Sequence, residues 1–193
     1  MCDGAFQGSG AAALESVSGA KEFREVSAGH ITDSFSGVAD YLVKTSNGSD
    51  PDLGRTLCEF RATGKDSGPA AELRFALALT DDGTPTGPAA VSTRRATAYD
   101  FTRFASASDT SGRITFACTP SAISDAGVVQ QGYVTTTLRT DPFRSGDSAA
   151  RREAAVRMAY SASVKMANEL GCFKESKLPK TLGKLTPLPV SGK

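Results

Sequence analysis

Leu73-Arg74-Phe75-Ala76-Leu77-Ala78-Leu79 decides how the rest of the chain is read. Its large apolar side chains fall on every second residue, the period of a strand with one face in a core and one face towards water. Such a strand needs neighbours. Upstream, Thr56-Leu57-Cys58-Glu59-Phe60-Arg61-Ala62 aligns Cys58, Phe60 and Ala62 on one face. Downstream, the loop of residues 81–90, with Asp82-Gly83, Pro85 and Gly87-Pro88, breaks the chain. The pattern then returns. Arg113-Ile114-Thr115-Phe116-Ala117-Cys118 places Ile114, Phe116 and Cys118 together, and Tyr133-Val134-Thr135-Thr136-Thr137-Leu138-Arg139 is a β-branched strand. Each half thus has a cysteine two residues from a phenylalanine on one strand, followed by a second strand. This hints at pseudo-repetition between residues 1–80 and 94–172.

Helical spacing surrounds these strands. Leu14, Val17, Ala20 and Phe23 predict a short helix over 11–24, with Ser9 available as its N-cap. Residues 30–45 are ambiguous: Ile31, Phe35, Val38 and Leu42 have helical spacing, while Tyr41-Leu42-Val43 suits a strand. Residues 46–54 are turn-rich, most sharply at Asn47-Gly48. The clearest helix is 148–171. Asp147 can cap it, Ala155, Ala159, Met166 and Leu170 share one face, and Gly171 ends it just before Cys172. A face of small residues lets such a helix lie close to a sheet. The Lys- and Pro-bearing residues 173–193 read as an extended, mobile tail.

At 193 residues, 39% hydrophobic and 22% charged, the chain is globular in composition and long enough to bury a core. No stretch approaches the roughly 20 apolar residues of a membrane-spanning helix. The net charge is only +1 but is unevenly spread. Residues 1–93 hold 13 acids and 7 bases, residues 94–172 hold 7 acids and 10 bases, and residues 173–193 hold five lysines and Glu175. A basic face for an anionic envelope polymer, a lipid headgroup or an acidic protein is the functional reading of that asymmetry; mutual neutralisation is the plain one. Nucleic acid is disfavoured, because interleaved aromatics and an RNA-binding signature are absent from the sequence.

The four cysteines, Cys2, Cys58, Cys118 and Cys172, lie more than fifty residues apart. That spacing suits two long-range disulfides and an oxidising compartment. Geometry favours Cys2–Cys58 with Cys118–Cys172, since a helix and the strand it covers bring their outer ends together. Entropy does not choose, because the rival Cys58–Cys118 loop is of similar length, each closing at about 4 kcal/mol. A Cys58–Cys118 bridge between two strands stays open, as does a lipidated Cys2, which would leave one thiol unpaired. Zinc is disfavoured, with no Cys-x-x-Cys and His30 the only histidine. Met1 is followed at once by Cys2 with no signal-like segment, which leaves two readings: a native start and a cytosolic protein, or, the one the cysteines favour, an exported protein whose signal or anchor segment, and with it any membrane tether at the N-terminus, is missing ahead of Met1.

Cys2-Asp3-Gly4 before a short helix, the Cys58 and Cys118 strands, and an Ala-rich helix ending in Leu170-Gly171-Cys172 together resemble actinobacterial cell-surface lipoproteins and membrane-tethered extracellular domains of uncharacterised function. The resemblance implies a cell-surface location and two cysteine pairs. It implies no activity.

Catalytic patterns are short. Ser18-Gly19-Ala20-Lys21 matches Ser-x-x-Lys without the companion motifs of penicillin-recognising enzymes. Tyr160 and Lys165 are five apart, one more than the Tyr-x-x-x-Lys pair of short-chain dehydrogenases. His30 lacks an identifiable nucleophile. Asp50, Asp52, Asp81 and Asp82 stand in turns, where aspartate is common, and lack the spacing of a calcium loop. Asn47-Gly48-Ser49 fits a glycosylation acceptor as well as a turn. Arg94-Arg95 and Arg151-Arg152 are the candidate anion-binding pairs.

The expectation is therefore one α+β domain over 1–172, with a mainly antiparallel sheet of about four to six strands, two helices on one face and two disulfides. No cofactor or metal is called for. The leading function is non-enzymatic binding of a ligand or protein partner at the cell envelope. The alternatives are a surface hydrolase with an unidentified nucleophile, and an interaction domain that docks through its basic C-terminal tail.

Overall fold

The computed structural model describes residues 2–18, 20–26, 34–45, 54–63, 70–80, 96–102, 104–120, 123, 131–140 and 148–190. Seven strands form one sheet: β1 (Phe23–Val26), β2 (Gly54–Ala62), β3 (Ala70–Thr80), β4 (Ala96–Ala98), β5 (Phe104–Ser108), β6 (Ser111–Ala117) and β7 (Gln131–Thr140). Their order is β1-β2-β3-β7-β6-β5-β4, and every pairing between neighbouring strands is antiparallel.

The central pair is β3 with β7, in register from Ala71↔Thr140 to Thr80↔Gln131. Leu73, Phe75 and Leu77 point inwards from β3, and Val134, Thr136 and Leu138 from β7. The cysteine-bearing strand β2 flanks β3, and β6, which leads into Cys118, flanks β7. On β2 the register slips between Thr56 and Cys58. This bulge turns Leu57 into the core beside Cys58, Phe60 and Ala62, more than strict alternation allows.

The sheet is thus wider than the expected four to six strands, and the reason lies at its edges. Phe104-Ala105-Ser106-Ala107-Ser108 turns only Ala105 and Ala107 into the core, too little apolar contrast to be conspicuous. Strand β1 begins at Phe23, inside the end of the segment expected to be helical. That helix, α1, runs only over Ser9–Ser18. Ser18 Oγ donates to the Leu14 carbonyl (2.6 Å) and accepts the Ala20 N–H (3.1 Å), which turns the backbone out of the helix. Phe23 then packs edge-on against Phe60 from the paired strand.

Three main helices replace the expected two. The ambiguous segment is helical from Phe35 to Thr45 (α2), burying Phe35, Val38, Ala39 and Leu42. Its N-terminus is capped twice: Ser34 Oγ accepts the Gly37 N–H (3.1 Å), and Asp3 Oδ2 accepts the Phe35 N–H (2.9 Å). Ile31 and the proposed cap Asp147 lie outside the described residues. The long helix α3 (Ser148–Glu169) covers β5, β6 and β7, α2 covers β2 and β3, and α1 lies against α3. No helix among the described residues is long and apolar enough to cross a membrane.

Helix α3 sits unusually close to the sheet. A Cβ placed on Gly112 of β6 would stand 2.4 Å from the Ala155 carbonyl oxygen. Further along α3, Ser163 Oγ, wholly buried, lies 2.8 Å from both Thr136 Oγ1 and the Ala159 carbonyl, so the polar groups at this seam are satisfied. The helix ends in a Schellman turn. Gly171 has φ 73°, its N–H donates to the Asn168 carbonyl (3.1 Å), and the Cys172 N–H donates to Ala167 (2.9 Å). That turn aims Cys172 at the end of β6.

The disulfides are Cys2–Cys58 and Cys118–Cys172. Of the pairings left open by the sequence, this is the one in which each bridge joins a strand to the outer end of a helical unit. A sulfur held in the Cys2–Cys58 bridge cannot carry a thioether lipid as well.

Residues 173–190 do not hang free, contrary to the expected mobile tail. After a short helix α4 (Phe173–Ser176), the chain crosses the body as an extended strap, with Leu178, Leu182 and Leu185 in the core. Its end lies along β4: the Asp100 N–H donates to the Thr186 carbonyl (2.9 Å), and the Leu188 N–H donates to Ala98 (2.8 Å). The edge strand is thereby covered.

Two outcomes test this architecture. Gly112→Ala should cost about 1–3 kcal/mol, because α3 would have to lift from the sheet. Gly183→Ala, where an added Cβ meets nothing within 4 Å, should stay within about 0.5 kcal/mol; urea denaturation measures both. The second outcome concerns Tyr99, whose phenol is pushed up from 10.0 to about 12 by burial first and by the Glu153 carboxylate second, with Arg152 opposing. Folding favours the protonated phenol, so this stabilisation is complete below pH 10 and is lost as pH rises towards about 12. Tyr99→Phe should flatten that alkaline loss of stability, as followed by melts across the window.

Candidate functional site

A cleft of about 730 Å³ opens where three segments meet: the N-terminal turn leading into α1, the exposed flank of α3, and the strap. Each wall has its own anchor. The N-terminal wall begins at Cys2, fastened to β2 by the first disulfide, with its N–H donating to Glu25. Asp3 bridges elements, since Oδ2 accepts from the first turn of α2 and Oδ1 lies 3.6 Å from Lys165 Nζ on α3. Ser161 of α3 then holds the following residues, donating to the Ala5 carbonyl (2.7 Å) and accepting the Gln7 N–H (3.3 Å). Gln7 and Ser9 face the cleft from this side.

The opposite wall is the strap. It starts at Cys172, fastened to Cys118 by the second disulfide. The Tyr160 hydroxyl donates to the Pro179 carbonyl, and Arg157, itself paired with Glu153, donates to the Gly183 carbonyl (3.3 Å). Between these clamps Lys180, Thr181 and Leu182 line the cleft. The floor belongs to α3, with Val164 below and Lys165, Asn168 and Glu169 at the rim. Lys165 is positioned from two sides, by Asp3 and by the Phe35 ring, whose centroid is 4.7 Å from Nζ.

The strap sorts its residues by chemistry. Leu178, Leu182 and Leu185 are buried, while Lys174, Lys177, Lys180 and Lys184 are exposed. The acid within it, Glu175, is turned inwards, accepting the Thr119 N–H (2.8 Å) and its hydroxyl (2.9 Å) at the end of β6. Four ammonium groups are therefore displayed along an ordered chain beside the cleft.

The residues singled out from the sequence are dispersed. Ser18 spends its hydroxyl on backbone groups, and Lys21 is exposed. Arg151 and Arg152 meet at Asp109 in the β5–β6 turn: Arg152 Nε is 2.9 Å from Oδ1, and Arg151 Nη2 is 4.0 Å from Oδ2. Arg152 also donates to Thr97 (3.2 Å), so the pair ties the start of α3 to the sheet edge. Arg94, Arg95, His30, Asn47-Gly48-Ser49, Asp50, Asp52, Asp81 and Asp82 lie outside the described residues. Among the described residues no three His, Cys, Asp or Glu side chains gather as metal ligands.

Tyr160 and Lys165 do come to one place, the cleft. The Tyr160 phenol is committed to Pro179 and pushed up by burial, and the Lys165 ammonium is held by Asp3. They serve as wall and rim. What sequence reading missed is the strap. Its signal was Leu178, Leu182 and Leu185, which have the i, i+4, i+7 spacing of a helix, among Pro179, Gly183 and Pro187, which keep the segment from being one.

The strap's anchorage can be tested directly. Leu182→Ala should cost about 2–4 kcal/mol and Tyr160→Phe about 1 kcal/mol. Both should raise hydrogen exchange selectively over 177–188 relative to β3 and β7. Set against known proteins, the chain matches no family model, no curated protein and no solved structure, so the chemistry of this cleft follows from its own residues.

Proposed function

We propose that this protein is a non-enzymatic, exported cell-envelope domain that binds a linear anionic polymer along the lysines of its strap. The observation that carries the reading is the sorting of residues 174–185: leucines anchor the segment, Glu175 is turned inwards onto Thr119, and four lysines are left facing water. A mobile tail would lose conformational entropy on binding a polyanion, whereas this one is ordered beforehand. An extended row of charges matches an extended row of phosphates or carboxylates better than it matches a compact acidic domain.

A lipid surface is the weaker partner. Membrane-docking faces combine basic residues with exposed apolar side chains that enter the interface. Val190 is the exposed large hydrophobic residue among those described, at the end of the strap and away from an apolar group. Export is supported by the two disulfides, whose four sulfur-bearing residues are all buried and which are features of oxidising compartments.

Combined Lys174→Gln, Lys177→Gln, Lys180→Gln and Lys184→Gln should preserve the melting temperature, because these side chains face water. Affinity for inorganic polyphosphate should fall about tenfold or more, and wild-type affinity should drop with added salt. Titration by fluorescence anisotropy at two ionic strengths measures this. Unchanged affinity in the quadruple variant would remove the strap as the contact surface.

A further inference from the structure

We infer that the cleft beside the strap is a saccharide subsite that takes one acidic sugar unit of such a polymer. The inference rests on the polyanion reading for its setting, but on different residues for its chemistry. A row of lysines recognises charge and spacing; it does not distinguish one polyanion from another. The cleft offers the further discrimination.

Its rim carries every kind of hydrogen-bonding group. Gln7 and Asn168 present amides, Ser9 and Thr181 hydroxyls, and Glu169 a carboxylate. A sugar hydroxyl both donates and accepts, so one small ligand rich in hydroxyls can satisfy amide, hydroxyl and carboxylate walls together. A peptide would ask for apolar side-chain pockets, whereas the large apolar side chains of the lining are Val164, Leu182 and the Tyr160 ring. That floor suits the C–H face of a pyranose ring.

The charge is placed to match. Lys165 on α3 and Lys180 on the strap both line the cleft. Lys165 is held in place by Asp3 and Phe35, and Lys180 belongs also to the exposed lysine row. A uronic-acid carboxylate in the cleft meets exposed Lys180 or shares Lys165 with Asp3, while its hydroxyls face the rim. A volume of about 730 Å³ accommodates a unit and its neighbour, within the range of small-ligand clefts. Polymer continuing outwards from the cleft runs onto Lys177 and Lys184.

The test compares three probes on the full protein: a tetrasaccharide of alternating glucuronic acid and N-acetylglucosamine, neutral chitotetraose, and inorganic polyphosphate. Wild type should bind the acidic tetrasaccharide at least tenfold more tightly than the neutral one. Asn168→Trp, which fills the cleft from α3, should weaken the acidic tetrasaccharide about tenfold and leave polyphosphate unchanged. Thr181→Tyr fills it from the strap side and should do the same, so a folding defect in one variant is separable by its melt. Combined Lys174→Gln, Lys177→Gln and Lys184→Gln, which spares Lys180, should weaken polyphosphate while retaining the tetrasaccharide. Equal affinity for acidic and neutral sugars, or saccharide binding unaffected by both cleft-filling variants, would overturn the subsite. Wild-type protein that binds the acidic tetrasaccharide but not polyphosphate would count against the strap row and leave the subsite standing.

Discussion

Everything in this fold leans on how close α3 comes to the sheet. At Gly112 the helix backbone takes the space that a side chain would occupy, with the Ala155 carbonyl 2.4 Å from where a Cβ would stand. Small residues on both sides permit that approach, and close packing supplies dispersion contacts that a wider gap would forfeit. The consequence reaches beyond the seam. A helix so deeply seated has neighbours on several flanks, which is why Ala154, Ala155, Val156, Met158, Ala159, Tyr160, Ala162, Ser163, Met166 and Ala167 are all buried. The sheet lies beneath it, α1 lies along one flank, and the strap crosses another.

The disulfides serve the surface rather than the centre. The β3–β7 pair and the α3 seam are held by the strand ladder, apolar burial and the Ser163–Thr136 hydrogen bond, with no disulfide between them. Each bridge instead fastens a segment that has little regular structure of its own: Cys2–Cys58 the N-terminal turn, Cys118–Cys172 the start of the strap. Those two segments are the walls of the cleft. Each bridge closes a loop of more than fifty residues, worth about 4 kcal/mol against the unfolded chain. The same bonds therefore stabilise the fold and give an irregular surface a definite shape.

Much of the framework is legible residue by residue. The alternation from Leu73 to Leu79 appears in the structure as the burial of Leu73, Phe75 and Leu77, and the Ala-rich pattern of 148–171 as α3. These were long segments whose period matched their environment. Short or weakly contrasted ones were lost. Phe23 has the spacing of a helix yet joins a strand, because Ser18 ends α1 and Phe60 offers a partner. Strand β5 turns only alanines inwards and announces nothing. Arg151 and Arg152 suggested an anion clamp; in the fold Asp109 arrives from another hairpin and occupies them.

The amino-acid sequence by itself determined the strands at the sheet centre, the long helix and the presence of two cysteine pairs, because local period and residue size carry that information. Only the tertiary structure decided that the last residues are a strap and that a cleft lies beneath them. The physical reason is that Leu178, Leu182 and Leu185 have helical spacing in a segment that Pro179, Gly183 and Pro187 keep extended; they are buried because α3 and the edge of the sheet present a surface to cover. Once those leucines are fixed, the side-chain positions between them must face water. The exposure of Lys177, Lys180 and Lys184 follows from that packing.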